Sequence, residues 1–122
     1  MPGEQSSTAE HSCAVVRRYL TEALFGGDER ALRDTVADPV LQERVWMFWA
    51  AFAERNLDTV DVLFANADGT RVACHLSANM IQVAPWITAA SSGPDGRPAL
   101  VECTGTYVIA DSKITNFRET WR

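Results

Sequence analysis

The stretch DPVLQERVWMFWAAFAERNLDTVDVLF, residues 38–64, changes its hydrophobic period part-way through. Up to Arg55, Leu41, Val45, Phe48, Trp49 and Phe52 recur at the spacing of one helix face, and Asp38-Pro39 reads as an N-cap followed by proline at the first helical position. Beyond Arg55, Val60, Val62 and Phe64 alternate with polar or smaller residues, the period of a half-buried strand. Helices are therefore expected before this point and strands after it.

Upstream, Ser7-Thr8-Ala9-Glu10 has the capping-box pattern, and Val16, Tyr19, Leu20, Ala23 and Leu24 follow helical spacing until Gly26-Gly27. Residues 1–7 are expected to be a flexible tail and residues 8–122 a single domain. Asp28 can cap a second helix through Val36, with Ala31, Leu32 and Thr35 facing a core. Downstream, a three-residue turn at Ala67-Asp68-Gly69 would pair Val60 with Leu76, Val62 with Cys74 and Phe64 with Val72, giving one apolar face. The segment from Val83 to Pro98 reads as a long loop able to act as a lid. A second hairpin, Ala99 to Ala110 and Ile114 to Trp121, turns around Asp111-Ser112-Lys113. With Ala110 opposite Ile114, its inner face holds Tyr107, Ile109, Thr115, Phe117, Glu119 and Trp121. Gly105 then lies across from Glu119, and Thr104, Thr106, Asn116, Arg118 and Thr120 take the other face.

A chain of 122 residues, 47% hydrophobic, suits one domain with a core and a modest pocket. A net charge of −5 with scattered basic residues argues against nucleic acid or an anionic membrane as partner. The polar N-terminus and the lack of a membrane-length apolar run predict a cytoplasmic protein. Cys13, Cys74 and Cys103 read as reduced core thiols, and with two histidines in the chain no metal site and no cofactor are expected.

Glu119 is the residue that stands out, because the alternation places it beside Phe117 and Trp121. A carboxylate among rings loses hydration that nothing apolar replaces, so its pKa rises toward the range useful for proton transfer. The bland alternative is an ion pair with Arg118, Arg122 or a helix end, although Arg118 falls on the opposite face.

Three helices followed by two long hairpins resemble the nuclear transport factor 2-like superfamily. The resemblance rests on Ala14-Val15-Val16-Arg17-Arg18-Tyr19 with Gly27-Asp28, on Asp68-Gly69-Thr70-Arg71-Val72-Ala73, on Gly96-Arg97-Pro98, and on Lys113-Ile114 leading into Arg118-Glu119 and Trp121. It implies an α+β fold, a cone-shaped barrel of three N-terminal helices packed on a strongly curved, mainly antiparallel sheet. The ending is similar to SnoaL-like polyketide cyclases and limonene-epoxide-hydrolase-like enzymes, in which a last-strand carboxylate does acid/base work. Glu119 matches that position, where both families usually have aspartate. Gln82 stands where the cyclases carry a histidine, and the arginine and aspartate of the epoxide hydrolases fall near Leu76 and Ala78. Tyr19 matches the tyrosine of the superfamily's ketosteroid isomerases if one residue is inserted before Gly27, and their second acid falls near Gly105.

The resemblance implies cyclisation or isomerisation of a small apolar oxygenated substrate in natural-product, polyketide-type biosynthesis, and a homodimer. The candidate catalytic set is Glu119, Tyr19 and Asp38. Trp49, Phe52, Leu76, Met80 and Gln82 are expected to contact substrate, as are Trp86, Tyr107, Phe117 and Trp121. Each has a structural alternative: Tyr19 and the tryptophans as core, Asp38 as an N-cap, Asp61 and His75 as a surface pair across the first hairpin. Two functional alternatives stay open, namely epoxide opening by Glu119 and Asp38 as paired carboxylates, and a non-catalytic ligand-binding or dimerisation domain.

Overall fold

A computed structural model describes residues 2–84 and 98–122, with the side chains of residues 2–7 and of 61 and 62 outside the description. Three helices, α1 (Pro2–Arg18), α2 (Glu29–Thr35) and α3 (Pro39–Ala51), precede four strands, β1 (Phe52–Ala65), β2 (Arg71–Gln82), β3 (Pro98–Ala110) and β4 (Lys113–Trp121). The strands form one antiparallel sheet in chain order, with β1 and β4 at its edges. The α+β architecture is the one expected. Among the described residues the sheet runs in one row from β1 to β4, and the β4 edge is met by a parallel bridge from Val36 to Ile114.

The helix starts follow the capping residues, with one correction. Asp28 accepts from the Arg30 and Ala31 amides and Asp38 from the Val40 amide, as the sequence predicts. The first helix instead begins at Pro2, ahead of the Ser7-Thr8 capping box, with proline again at the start. It continues into a π-helical segment, Tyr19–Leu24, whose wider ladder is completed by the Phe25 amide donating to the Leu20 carbonyl at 3.1 Å.

The third helix ends at Ala51, four residues before the expected Arg55. The sheet takes the rest: Phe52 pairs with Gln82, and the Ala51 carbonyl accepts the Val83 amide at 2.7 Å. A register shift after Ala53, with Glu54 at φ 49°, turns the chain so that the Arg55 guanidinium reaches back to the carbonyls of Phe52 (2.7 Å), Trp49 (3.4 Å) and Phe25 (3.4 Å). Arg55 is thus a side-chain cap for a helix end that lacks a glycine.

Irregular pairing also corrects the first hairpin. Val60 opposes Leu76 as predicted, but a shift before Val62 sets Val62 against His75, Leu63 against Cys74 and Ala65 against Val72. Phe64 consequently faces outward, 58% exposed, and His75 opposes Val62 rather than Asp61. The turn is longer than expected, with the Asn66 amide donating to the Arg71 carbonyl and the Asp68 carboxylate accepting from the Thr70 amide. Gly69, at φ 72°, lies so close to α1 that a Cβ there would meet Thr8 and Ser12, and the Ser12 hydroxyl donates to its carbonyl at 2.6 Å.

In the second hairpin Gly105 opposes Glu119 and Tyr107 opposes Phe117, as predicted. Its tip is tighter: Asp111 and Ser112, both at positive φ, make a two-residue turn that pairs Ala110 with Lys113, and a shift between Val108 and Ile109 restores the register beyond. Ile114, not Thr115, is therefore the buried residue there. The core joins the inner sheet face to the helices through Tyr19, Phe25, Phe48, Tyr107, Phe117 and Trp121, with Phe48 stacked on Trp121 at 5.2 Å.

A candidate acid/base cleft at the edge of the sheet

Two buried tyrosine hydroxyls meet on one oxygen of Glu119. Tyr107 donates to Oε2 at 2.8 Å and Tyr19 donates to the same atom at 3.1 Å. The other oxygen, Oε1, accepts no hydrogen bond from a described residue. No ion pair reaches Glu119 either, since the salt bridges among the described residues involve only Arg18 and Arg33. The structural alternative of a carboxylate locked to Arg118 or Arg122 is therefore not the arrangement found.

Each partner is placed by a local device. Tyr19 is the first residue of the π-helical segment, and Trp49 secures that segment's end by donating its indole N–H to the Ala23 and Leu24 carbonyls, both at 3.0 Å. Tyr107 folds across Gly105, where a Cβ would come within 2.5 Å of its hydroxyl and 2.8 Å of its ring. Gly105 thus supplies the space through which Tyr107 reaches Glu119. Behind it the Cys74 thiol donates to the Tyr107 hydroxyl at 3.6 Å, extending the chain of donors.

Burial pushes the Glu119 carboxyl up to about 7, against the lowering effects of the Tyr107 and Tyr19 hydrogen bonds and of the Arg44 charge. Both tyrosines are pushed well above the ordinary phenol range, first by burial and then by the neighbouring Glu119 charge. They remain hydrogen-bond donors, and the carboxyl is the group that changes protonation near neutrality. Burial raises the Cys74 and Cys103 thiols as well, which keeps them protonated.

Glu119 lines a half-open cleft of about 670 Å³ between α3 and the second hairpin. Leu24, Val45, Phe48, Phe117 and Trp121 make its apolar side. Arg71, Thr106, Val108, Asn116 and Arg118 belong by alternation to the sheet face opposite Tyr107, so the cleft wraps around the β4 edge and uses both faces. Arg44 and Met47 come from α3.

The expected site residues divide accordingly. Phe117 and Trp121 line the cleft with Glu119, and Tyr19 and Tyr107 lie behind it as its hydrogen-bond donors. Leu76 and Met80 are buried core, Phe52 packs on Phe48 at 5.1 Å, and Trp49 is committed to the helix carbonyls. Gln82 donates its amide to the Ala84 carbonyl at 3.0 Å. Asp38 is an exposed N-cap and does not line the cleft, where Glu119 is the single carboxylate among the described residues. Trp86 and most of the 83–98 loop lie outside the described residues. The polar wall was not anticipated, although the sequence places Thr106, Asn116 and Arg118 together on one face.

No family model matches the sequence, and no match is found among curated proteins. Solved structures do match. A candidate polyketide cyclase from Xanthomonas campestris pv. campestris superposes with a TM-score of 0.71 at 16% identity, over 94% of this chain and 93% of that one. A candidate SnoaL-like polyketide cyclase from Jannaschia sp. CCS1 gives 0.63 at 16% identity, over 93% and 86%. This chain has the SnoaL-like fold. The same fold extends to an LEH-like epoxide hydrolase from M. tuberculosis, at 0.63 and 13% identity over 93% and 84%. Within this fold Glu119 lies on the last strand, and its hydrogen-bond partners are two tyrosines.

Proposed function

We propose that the protein is a cofactor-independent acid/base enzyme that cyclises or isomerises a small, largely apolar, oxygenated molecule of polyketide-type biosynthesis, with Glu119 moving the proton. The supporting observation is that Tyr19 and Tyr107 both hold Oε2 while Glu119 lines the cleft. In the neutral acid Oε2 is the carbonyl oxygen that accepts both hydroxyls, and Oε1–H is the donor. In the anion the same two bonds steady the charge and Oε1 is the base. A carboxyl near 7 keeps both forms populated at neutral pH, the condition under which one group can take a proton and return it. The apolar side made by Phe48, Phe117 and Trp121 suits a flat ring or polyene held against that oxygen. The reading retains the homodimer implied by the resemblance, which sedimentation equilibrium checks.

A carboxyl-carbon NMR titration is the direct test, with Glu119→Gln used to assign the resonance. The expected midpoint is about 7, and a midpoint in the ordinary glutamate range would remove the basis for proton transfer. On a substrate found by screening, Glu119→Gln should lower kcat by about 100-fold or more. A loss of less than about threefold at unchanged KM would exclude Glu119 as the general acid/base.

A further inference from the structure

The cleft carries an unused set of hydrogen-bond donors. Among the described residues Arg44, Arg71 and Arg118 line it, in a protein whose net charge is −5. None of the three guanidiniums makes an ion pair or side-chain hydrogen bond with a described residue. Arg18 and Arg33, by contrast, are paired with carboxylates, and Arg55 is spent on backbone carbonyls. Asn116 accepts the Phe117 amide on Oδ1 at 2.9 Å, which fixes its orientation and leaves the amide nitrogen as a donor. The Thr106 hydroxyl also has no partner among the described residues.

Strand register brings these groups together. Arg71 opposes Val108, which opposes Asn116, while Thr106 opposes Arg118 two residues along. Interstrand spacing and strand rise then set the Arg71 and Arg118 Cα atoms about 12 Å apart, with Thr106, Val108 and Asn116 between them. Two long arginine side chains from such positions can converge on one group. Glu119, the single carboxylate among the described residues that line the cleft, makes no ion pair with these arginines.

We propose that the ligand of this cleft bears an oxyanion, a carboxylate or phosphate, held by Arg71 and Arg118 with Asn116 and Thr106, while its apolar body lies on Phe117 and Trp121 toward Glu119. Guanidinium pairs favour oxyanions because their planar fork matches two oxygens at once. The proposal rests on the cleft being the ligand site in the functional reading above, and it narrows the substrate class to aromatic or polyene acids and their phosphorylated counterparts.

The test uses the whole protein and three probes of one shape: 2-naphthoate, 2-naphthyl phosphate and the neutral methyl 2-naphthoate, titrated calorimetrically. At least one anion should bind about 10-fold or more tightly than the ester, and the tighter anion identifies the group. Arg71→Gln and Arg118→Gln should each weaken that anion by about 10-fold, leave the ester unchanged and keep the melting temperature, whereas Arg30→Gln, outside the cleft, should change nothing. Equal binding of ester and anions, insensitivity to both variants, or no binding of any probe at millimolar concentration would overturn the proposal. Anion binding and the Glu119 titration, both measured on the wild type, separate the two readings. Retained anion binding with an ordinary Glu119 pKa sinks the acid/base reading alone, and a midpoint near 7 without anion preference sinks only the oxyanion site.

Discussion

Replacing Gly105 with alanine would drive a methyl group into the hydroxyl and ring of Tyr107, whose side chain is fully buried and has little room to yield. The expected result is loss of the Tyr107 bond to Glu119, a destabilisation of about 1–3 kcal/mol and a Glu119 midpoint above that of wild type. Tyr107→Phe should raise the midpoint in the same direction without the clash, so a joint titration of both variants distinguishes lost hydrogen bonding from repacking. A midpoint that falls in Tyr107→Phe would contradict the assigned donor. At this scale the site was half legible. Alternation was enough to turn Glu119 inward opposite Gly105, because one face of that hairpin is plainly apolar. The tyrosine pair was not, because a hydroxyl landing on one oxygen depends on a missing Cβ across the strand and on a π turn in a distant helix.

Arg55 decides where α3 stops. Its guanidinium serves three carbonyls around the junction of α3 and β1. Arg55→Ala should therefore cost about 1–3 kcal/mol in urea unfolding, and Arg55→Lys should recover little of it, since one ammonium cannot reproduce the fork. Full stability of the lysine variant would show that packing, not the carbonyl bonds, holds the junction. Element order and the starts of α2 and α3 were readable from capping residues and period. The end of α3 was not, because Phe52 fits a helix face and a strand equally well, and only pairing with Gln82 chooses between them. Bulges explain the remaining differences, since a residue left out of the ladder shifts every later pair and leaves no mark in the hydrophobic pattern.

Stability should fall as pH rises from about 4.5 to about 7. Glu119 is raised from 4.5 to about 7 on folding, so between those values the native state keeps a proton that the unfolded chain has lost. This contribution is fully present below pH 4.5 and is gone above about 7, a decline on the order of 3 kcal/mol. Urea unfolding at pH 5 and pH 8 should show it for the wild type and not for Glu119→Gln, which should be the more stable of the two at pH 8. Parallel pH profiles would mean that Glu119 titrates normally. Across the whole molecule, helices before strands and the α+β class were legible, but the position of the cleft was not. The interior expected to hold ligand is filled by Leu76, Met80 and Tyr107, and the open volume lies instead around the β4 edge. With Oε2 occupied from behind, the proposed acid/base role leaves Glu119 one oxygen and a single side from which to use it. The proton it removes and the proton it returns would then share one face of the substrate, so turnover in deuterium oxide should give a suprafacial product with a single stereochemistry at the labelled carbon.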